Sequence, residues 1–161
     1  MVIISQYRQE NKGNKVYIRA NETPVCPICD SPLRVIGSRC RKVVGVDGIQ
    51  QTFVVRRLRC TECVRIHHEL PDLLIPYKRH CAETIEHAVS GNDYIGTVRS
   101  STVRRIRAWW TQMNQYFIAI LASLEAKYDI HFTAEVAPRE IVRAVTNRQL
   151  WTHTRSVRLS G

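Results

Sequence analysis

Two Cys-x-x-Cys pairs, Cys26-Pro27-Ile28-Cys29 and Cys60-Thr61-Glu62-Cys63, constrain this chain more than any other feature. Each pair is spaced to set two thiolates on one tetrahedral metal ion, and two pairs fill the four positions of a structural zinc site. Such a site leaves no coordination position for a substrate or an activated water, so it argues for a binding module before an enzyme. Small ribbons of this kind have little core, and the metal supplies much of their folding free energy.

Six cysteines also permit a disulfide framework by count alone. Residues 1–24, however, carry no signal-peptide pattern: Met1-Val2-Ile3-Ile4 is a short apolar start followed at once by Ser5-Gln6-Tyr7-Arg8-Gln9-Glu10. The expected compartment is the cytoplasm, where thiols stay reduced. A thioredoxin-like redox site expects one pair beside a βαβ pattern, and here a second pair stands without one. One structural Zn2+ on Cys26, Cys29, Cys60 and Cys63 is the favoured reading over disulfide or redox chemistry.

Net charge is +10 over 161 residues, and four thiolates on zinc would remove only about two of those charges. No run of eighteen apolar residues exists, so no transmembrane helix and no membrane partner are expected. The charge is clustered. Arg34, Arg39, Arg41, Lys42, Arg56, Arg57 and Arg59 lie between Leu33 and Cys60 against the single acid Asp47. Arg99, Arg104, Arg105 and Arg107 form a second cluster; Arg139, Arg143, Arg148, Arg155 and Arg158 form a third, opposed only by Glu140. Arginine suits bidentate phosphate and guanine contacts, which favours nucleic acid over a set of solvated faces.

Along the chain, residues 1–24 read as an amino-terminal extension with one short strand at Val16-Tyr17-Ile18. Leu33–Ile36 and Arg41–Val44 read as strand segments with a bend at Gly37, Val46-Asp47-Gly48 as a hairpin turn, and Gln51–Leu58 as the return strand. The metal would clamp the base of that hairpin. Leu70–Tyr77 reads as a proline-punctuated link, and from Lys78 the pattern turns helical, with Cys81, Ile85, Ala88 and Val89 on one face and Gly91 as a stop. Ser100-Ser101-Thr102 then caps a long helix whose stripe is Val103, Ile106, Trp110, Met113, Phe117, Ile120 and Leu124. Such a stripe is core more often than a dimer seam, although a homodimer through residues 103–124 stays open. Pro138 opens a final helix carrying Ile141, Val142 and Val145, with Trp151 near its end.

Helix, glycine-bearing connection and Ser/Thr-capped arginine helix together match the layout of a helix-turn-helix. In that motif the second helix enters the major groove, which would bring Arg104, Arg105 and Arg107 to base edges and Ser101 and Thr102 to phosphate. The connection over Gly91–Arg99 is longer than usual.

The run from Cys26 through Arg56-Arg57-Leu58-Arg59-Cys60-Thr61-Glu62-Cys63, then Leu70-Pro71 and Pro76-Tyr77-Lys78-Arg79-His80, resembles the amino-terminal zinc ribbon of bacterial insertion-sequence transposases. More closely, the chain resembles a family of small uncharacterised proteins that share this ribbon, occur in Gram-positive bacteria and often lie near mobile elements. The resemblance covers roughly Cys26 to Trp110. It implies a regulatory or accessory role at a mobile element, with a separate transposase or recombinase as partner. Asp30 and Val64 depart from it, since ribbons usually carry glycine after each knuckle, and valine tolerates the left-handed turn poorly.

Cys40 and Cys81 are left over once the ribbon is filled, and His67, His68, His80 and Cys81 have suitable chemistry for a second metal, although adjacent histidines more often face solvent. The acids Asp47, Asp72, Glu83, Glu86 and Asp93 are scattered, with no strand-borne carboxylate pair for two-metal catalysis. No catalytic residue is expected.

The sequence thus predicts an α+β protein: a small β zinc ribbon over 25–77 followed by an α-helical, helix-turn-helix-like domain over 78–130, with a carboxy-terminal helix and basic tail over 131–161. It would bind double-stranded DNA in a sequence-directed way through Arg39, Arg41, Lys42, Arg56, Arg57 and Arg59 of the hairpin and Ser101, Thr102, Arg104, Arg105 and Arg107 of the helix. The alternative is a zinc-ribbon adaptor between proteins.

Overall fold

A computed structural model describes residues 1–91, 98–129 and 136–151. Its centre is the expected hairpin, built from β4 (Leu33–Val44) and β5 (Gln50–Cys60) after three shorter strands. The two pair antiparallel from Leu33↔Cys60 to Val44↔Gln50, with a bulge between Val35 and Gly37. At the turn the Gly48 amide donates to the Gly45 carbonyl, and the Ile49 amide donates to the Asp47 carboxylate at 2.9 Å. Gly48 sits at φ +76, where a side chain would be strained.

The rest of the sheet hangs on the other edge of β5. Its first half pairs in parallel with β3 (Lys15–Ala20), Lys15↔Thr52 to Tyr17↔Val54, and its last residues pair antiparallel with β6 (Ile66–Pro71), Arg57↔His68 to Arg59↔Ile66. β2 (Tyr7–Lys12) extends β3, and β1 (Val2–Ile4) extends β6 in parallel. The outcome is a curled mixed sheet of six strands in the order β1-β6-β5-β3-β2, with β4 on the remaining edge of β5. Asn147 fastens β1 from outside: its side-chain carbonyl accepts the Ile3 amide at 2.7 Å, and its amide donates to the Ile3 carbonyl at 2.9 Å.

Three helices cover one end of the inner face: α1 (Ala82–Val89), α2 (Ser100–Tyr128) and α3 (Pro138–Thr146). Ile18, Val43, Phe53 and Val55 of the sheet form one core with Ile85, Met113, Phe117 and Val142 of the helices. Each such side chain contributes about 1.5–3 kcal/mol on full burial. Arg139 joins α3 to α1, its Nε donating to Glu86 Oε1 at 2.8 Å. No helix among the described residues is long and apolar enough to cross a membrane.

This architecture overturns the expected fold class. A small ribbon does not precede a separate helical domain; the hairpin is the middle of a six-stranded sheet, and the helices close the same core. Residues 1–24, read as an extension with one strand, hold three. The segment read as a link buries Leu70, Leu74 and Ile75. The helix-turn-helix reading fails because α1 and α2 bury their apolar faces in the one core that they share with α3 and the sheet, and because Arg107 turns inward, its Nε donating to the Ala88 carbonyl at 2.7 Å. On α2, Trp109 and Leu121 are buried where Trp110 and Ile120 were expected. Positions 92–97 of the helix connection and the tail residues Arg155 and Arg158 lie outside the described residues.

Candidate metal centre and basic face

Cys26 and Cys29 come from the loop before β4, and Cys60 and Cys63 from the end of β5 and the turn after it. Pairing of Leu33 with Cys60 brings the two knuckles together. Each knuckle is closed by its own backbone: the Asp30 amide donates to the Cys26 carbonyl at 2.8 Å, and the Cys60 amide donates to the Arg65 carbonyl at 3.0 Å. The residue after each second cysteine is left-handed, Asp30 at φ +55 and Val64 at φ +60. The glycine departures seen in the sequence are therefore places where a side chain occupies a glycine conformation.

The four sulfurs lie within 4.8 Å of one another. Across the knuckles, Cys26 Sγ is 3.6 Å from Cys63 Sγ and Cys29 Sγ is 3.5 Å from Cys60 Sγ. A disulfide needs about 2.05 Å, whereas four sulfurs bonded to one ion at about 2.3 Å stand roughly 3.8 Å apart, so the spacing fits a shared metal. The Ser31 hydroxyl and amide beside Cys29 pull its thiol down to about 6. For Cys63 the Arg65 backbone acts in the same direction, but burial and the other three sulfurs outweigh it and push the thiol up to about 12. Sulfurs this crowded become thiolates together only around a cation.

His67 belongs to this centre, which the sequence alone did not reveal. It is buried at 2% exposure, and its Nε2 is 3.5 Å from Cys26 Sγ. Burial, then the positive amino terminus, hold it below its ordinary pKa. The signal was the Leu58↔His67 register, which decides which of two adjacent histidines turns toward the cysteines. Among the described residues the four cysteines are the one cluster of metal-ligand type; His67, His68, His80 and Cys81 form no second. Cys40 is exposed on β4, and Cys81 Sγ lies 3.2 Å from Thr84 Oγ1 at the start of α1.

The same register sorts the arginines. Cross-strand partners share a face, so Arg34↔Arg59, Gly37↔Arg57, Arg39↔Val55 and Arg41↔Phe53 set five guanidinium groups on the inner face. Val55 and Phe53 share the core with the helices; Arg34, Arg57, Arg59 and Arg39 lie toward the four cysteines, and no carboxylate stands on that face of β4 or β5. Burial, then Arg39 and Arg57, push His68 below its ordinary pKa. Arg41 is partly committed, donating to the carbonyls of Ile75 and Lys78, the latter at 3.0 Å.

Lys42 and Arg56 fall on the outer face. Arg56 is a structural ion pair: its Nε and Nη2 each reach a different oxygen of fully buried Glu69 at 2.6 Å. Of the α2 candidates, Ser101, Arg104 and Arg105 are exposed, Arg105 donates to Thr102 Oγ1 at 3.3 Å, and Arg107 serves α1 as described. The two basic regions approach each other, since the Lys78 ammonium lies 3.7 Å over the Trp109 ring.

Fold and site define a class: a curled β-sheet protein with a four-cysteine cluster that could hold a metal ion at one end and a basic inner face beside it. The family model described as Domain of unknown function (DUF6431) matches residues 26–106, half of the chain, and the chain belongs to that family. The match runs from the first cysteine of the centre to Ile106 in α2, so it spans both knuckles, the hairpin and the basic face. No curated protein and no solved structure matches the chain.

Proposed function

We propose that the four sulfurs hold one zinc ion and that the protein binds double-stranded DNA by gripping phosphates with the open half of its inner sheet face. Zinc suits four thiolates in a closed tetrahedral set. The observation carrying the DNA reading is the placement of Arg34, Arg39, Arg41, Arg57 and Arg59 on one face without a carboxylate among them. Guanidinium groups so arranged favour a polyanion, and the neighbouring exposed Arg104 and Arg105 extend the same charge. On this reading the protein acts by binding. A regulatory or accessory role at a mobile element, alongside a separate transposase, rests on the sequence resemblance alone.

Salt and substitution test this together. With about five phosphate contacts, affinity for a duplex falls several hundredfold between 50 and 200 mM salt, and Arg57→Ala or Arg59→Ala each lowers the salt slope by about one. Arg56→Ala instead weakens the fold and leaves the slope unchanged, because its charge already serves Glu69. Affinity indifferent to salt and to Arg57 and Arg59 would remove the DNA reading. It would favour an adaptor role, which has its own support: Val25, Ile28, Val35, Ile36, Val64 and Ile66 are exposed apolar side chains around the knuckles and hairpin base.

A further inference from the structure

Beside the rim of the helices the inner face opens into a cleft of about 460 Å³. Arg39, Arg41, His68, Tyr77 and Lys78 line it around an apolar floor of Val55 and Leu70, and no carboxylate is among its walls. We infer that this cleft binds a nucleoside 5′-phosphate, with the phosphate on Arg39 and Lys78 and the base against Tyr77. The ligand is either a free nucleotide or the phosphorylated end of a nucleic-acid strand.

Four observations converge on it. Lys78 is half-buried, stacked on Trp109, and has no carboxylate partner among the described residues; loss of water pushes it down to about 8. A cation in that position gains from an anion brought to it. Tyr77, at the rim, is 59% exposed and held at φ +61, a left-handed conformation that costs a bulky residue energy. An exposed aromatic fixed this way is a platform on which a base can stack. Arg41 positions both residues, because its guanidinium holds the carbonyls of Ile75 and Lys78 on either side of Tyr77. The volume is larger than a lone phosphate requires and falls within the range of small-ligand pockets.

The second source rests on the DNA reading above, and the test separates the two. Zinc-loaded full-length protein is titrated with AMP, adenosine and inorganic phosphate by calorimetry. It is then titrated with one short duplex carrying either a 5′-phosphate or a 5′-hydroxyl. AMP is expected to bind at least about tenfold more tightly than adenosine or phosphate, and Lys78→Gln and Arg39→Gln each to lose about that factor. Tyr77→Gly is expected to weaken AMP while raising the melting temperature, which distinguishes a lost platform from a misfolded loop. AMP binding without a 5′-phosphate preference assigns the cleft to free nucleotides; the preference without AMP binding assigns it to strand ends. If neither appears, the cleft is not a nucleotide pocket, even where salt-sensitive duplex binding persists. AMP binding without any duplex binding keeps the pocket and removes the DNA reading.

Discussion

The β4–β5 hairpin is one continuous piece of secondary structure held in two different ways. At its turn, Val43, Phe53 and Val55 are buried in a core shared by three helices. At its base the buried side chains are few, Leu58, Cys26, Cys60 and His67, and four sulfurs take the place of a helix layer. Packed area stabilises one end, and at the other four sulfurs are placed where a metal would cross-link them. The comparison explains why the inner face can be basic near the four cysteines: a base that a metal on those sulfurs would clamp does not need apolar cover, so its face is left for arginine.

The two ends should therefore fail separately. If the four sulfurs hold the zinc proposed above, its removal is the largest perturbation, since structural zinc in small modules carries on the order of 10–16 kcal/mol of folding free energy. Chelation is expected to strip amide protection in hydrogen exchange from residues 33–40 and 56–60 while α2 and α3 stay protected. Equal loss in both ends would mean that the sheet is one cooperative unit. Phe117→Ala perturbs the other end: the ring is fully buried between helices and sheet, and its loss costs about 3–5 kcal/mol. Thermal melting should record that loss, while zinc stoichiometry stays at one.

Acid sharpens the comparison further. Burial works to raise the Glu86 pKa, but hydrogen bonds from the Arg139 side chain and backbone outweigh it, and the net shift is down. The stabilisation, about 1.5–3 kcal/mol for hydrogen bonds to a charged group, is fully present above the ordinary carboxylate value near 4.5 and fades as pH falls through the lower folded value. In melts at stepped pH, Glu86→Gln should lose that part of the acid sensitivity, which resides in the helical end. The smallest change should be Val64→Gly, which releases a branched side chain from φ +60 and stabilises the second knuckle by about 1 kcal/mol. Tighter metal retention in a competition with chelator would register it.

What could be read from the sequence was what local chemistry specifies. The cysteine spacing, the Val46-Asp47-Gly48 turn and the awkward Asp30 and Val64 positions all depend on a few adjacent residues. The sheet was illegible because its defining pairs, β1 with β6 and β3 with β5, are parallel and distant, and Arg8, Glu10 and Arg19 make the first strands look like a polar extension. Prolines made Leu70–Tyr77 look like a linker although Leu74 and Ile75 are 1% exposed. On α2, the 3.6-residue period allows either Trp109 or Trp110 onto the buried face, and only the position of the sheet decides. The basic cluster was visible, but its division was not: Arg56 answers Glu69 on β6, a partner thirteen residues away that no arginine count reveals.

The bond between Ile3 and Asn147 has a consequence for how the molecule is made. Synthesis delivers Val2–Ile4 well before their strand partner Glu69–Pro71 and before their side-chain clasp, Asn147, just past the end of α3. Contacts so far apart in sequence close late, after the intervening loops have lost their freedom. Val2, Ile3 and Ile4, all buried in the finished fold, must therefore wait for segments made much later before they can be covered.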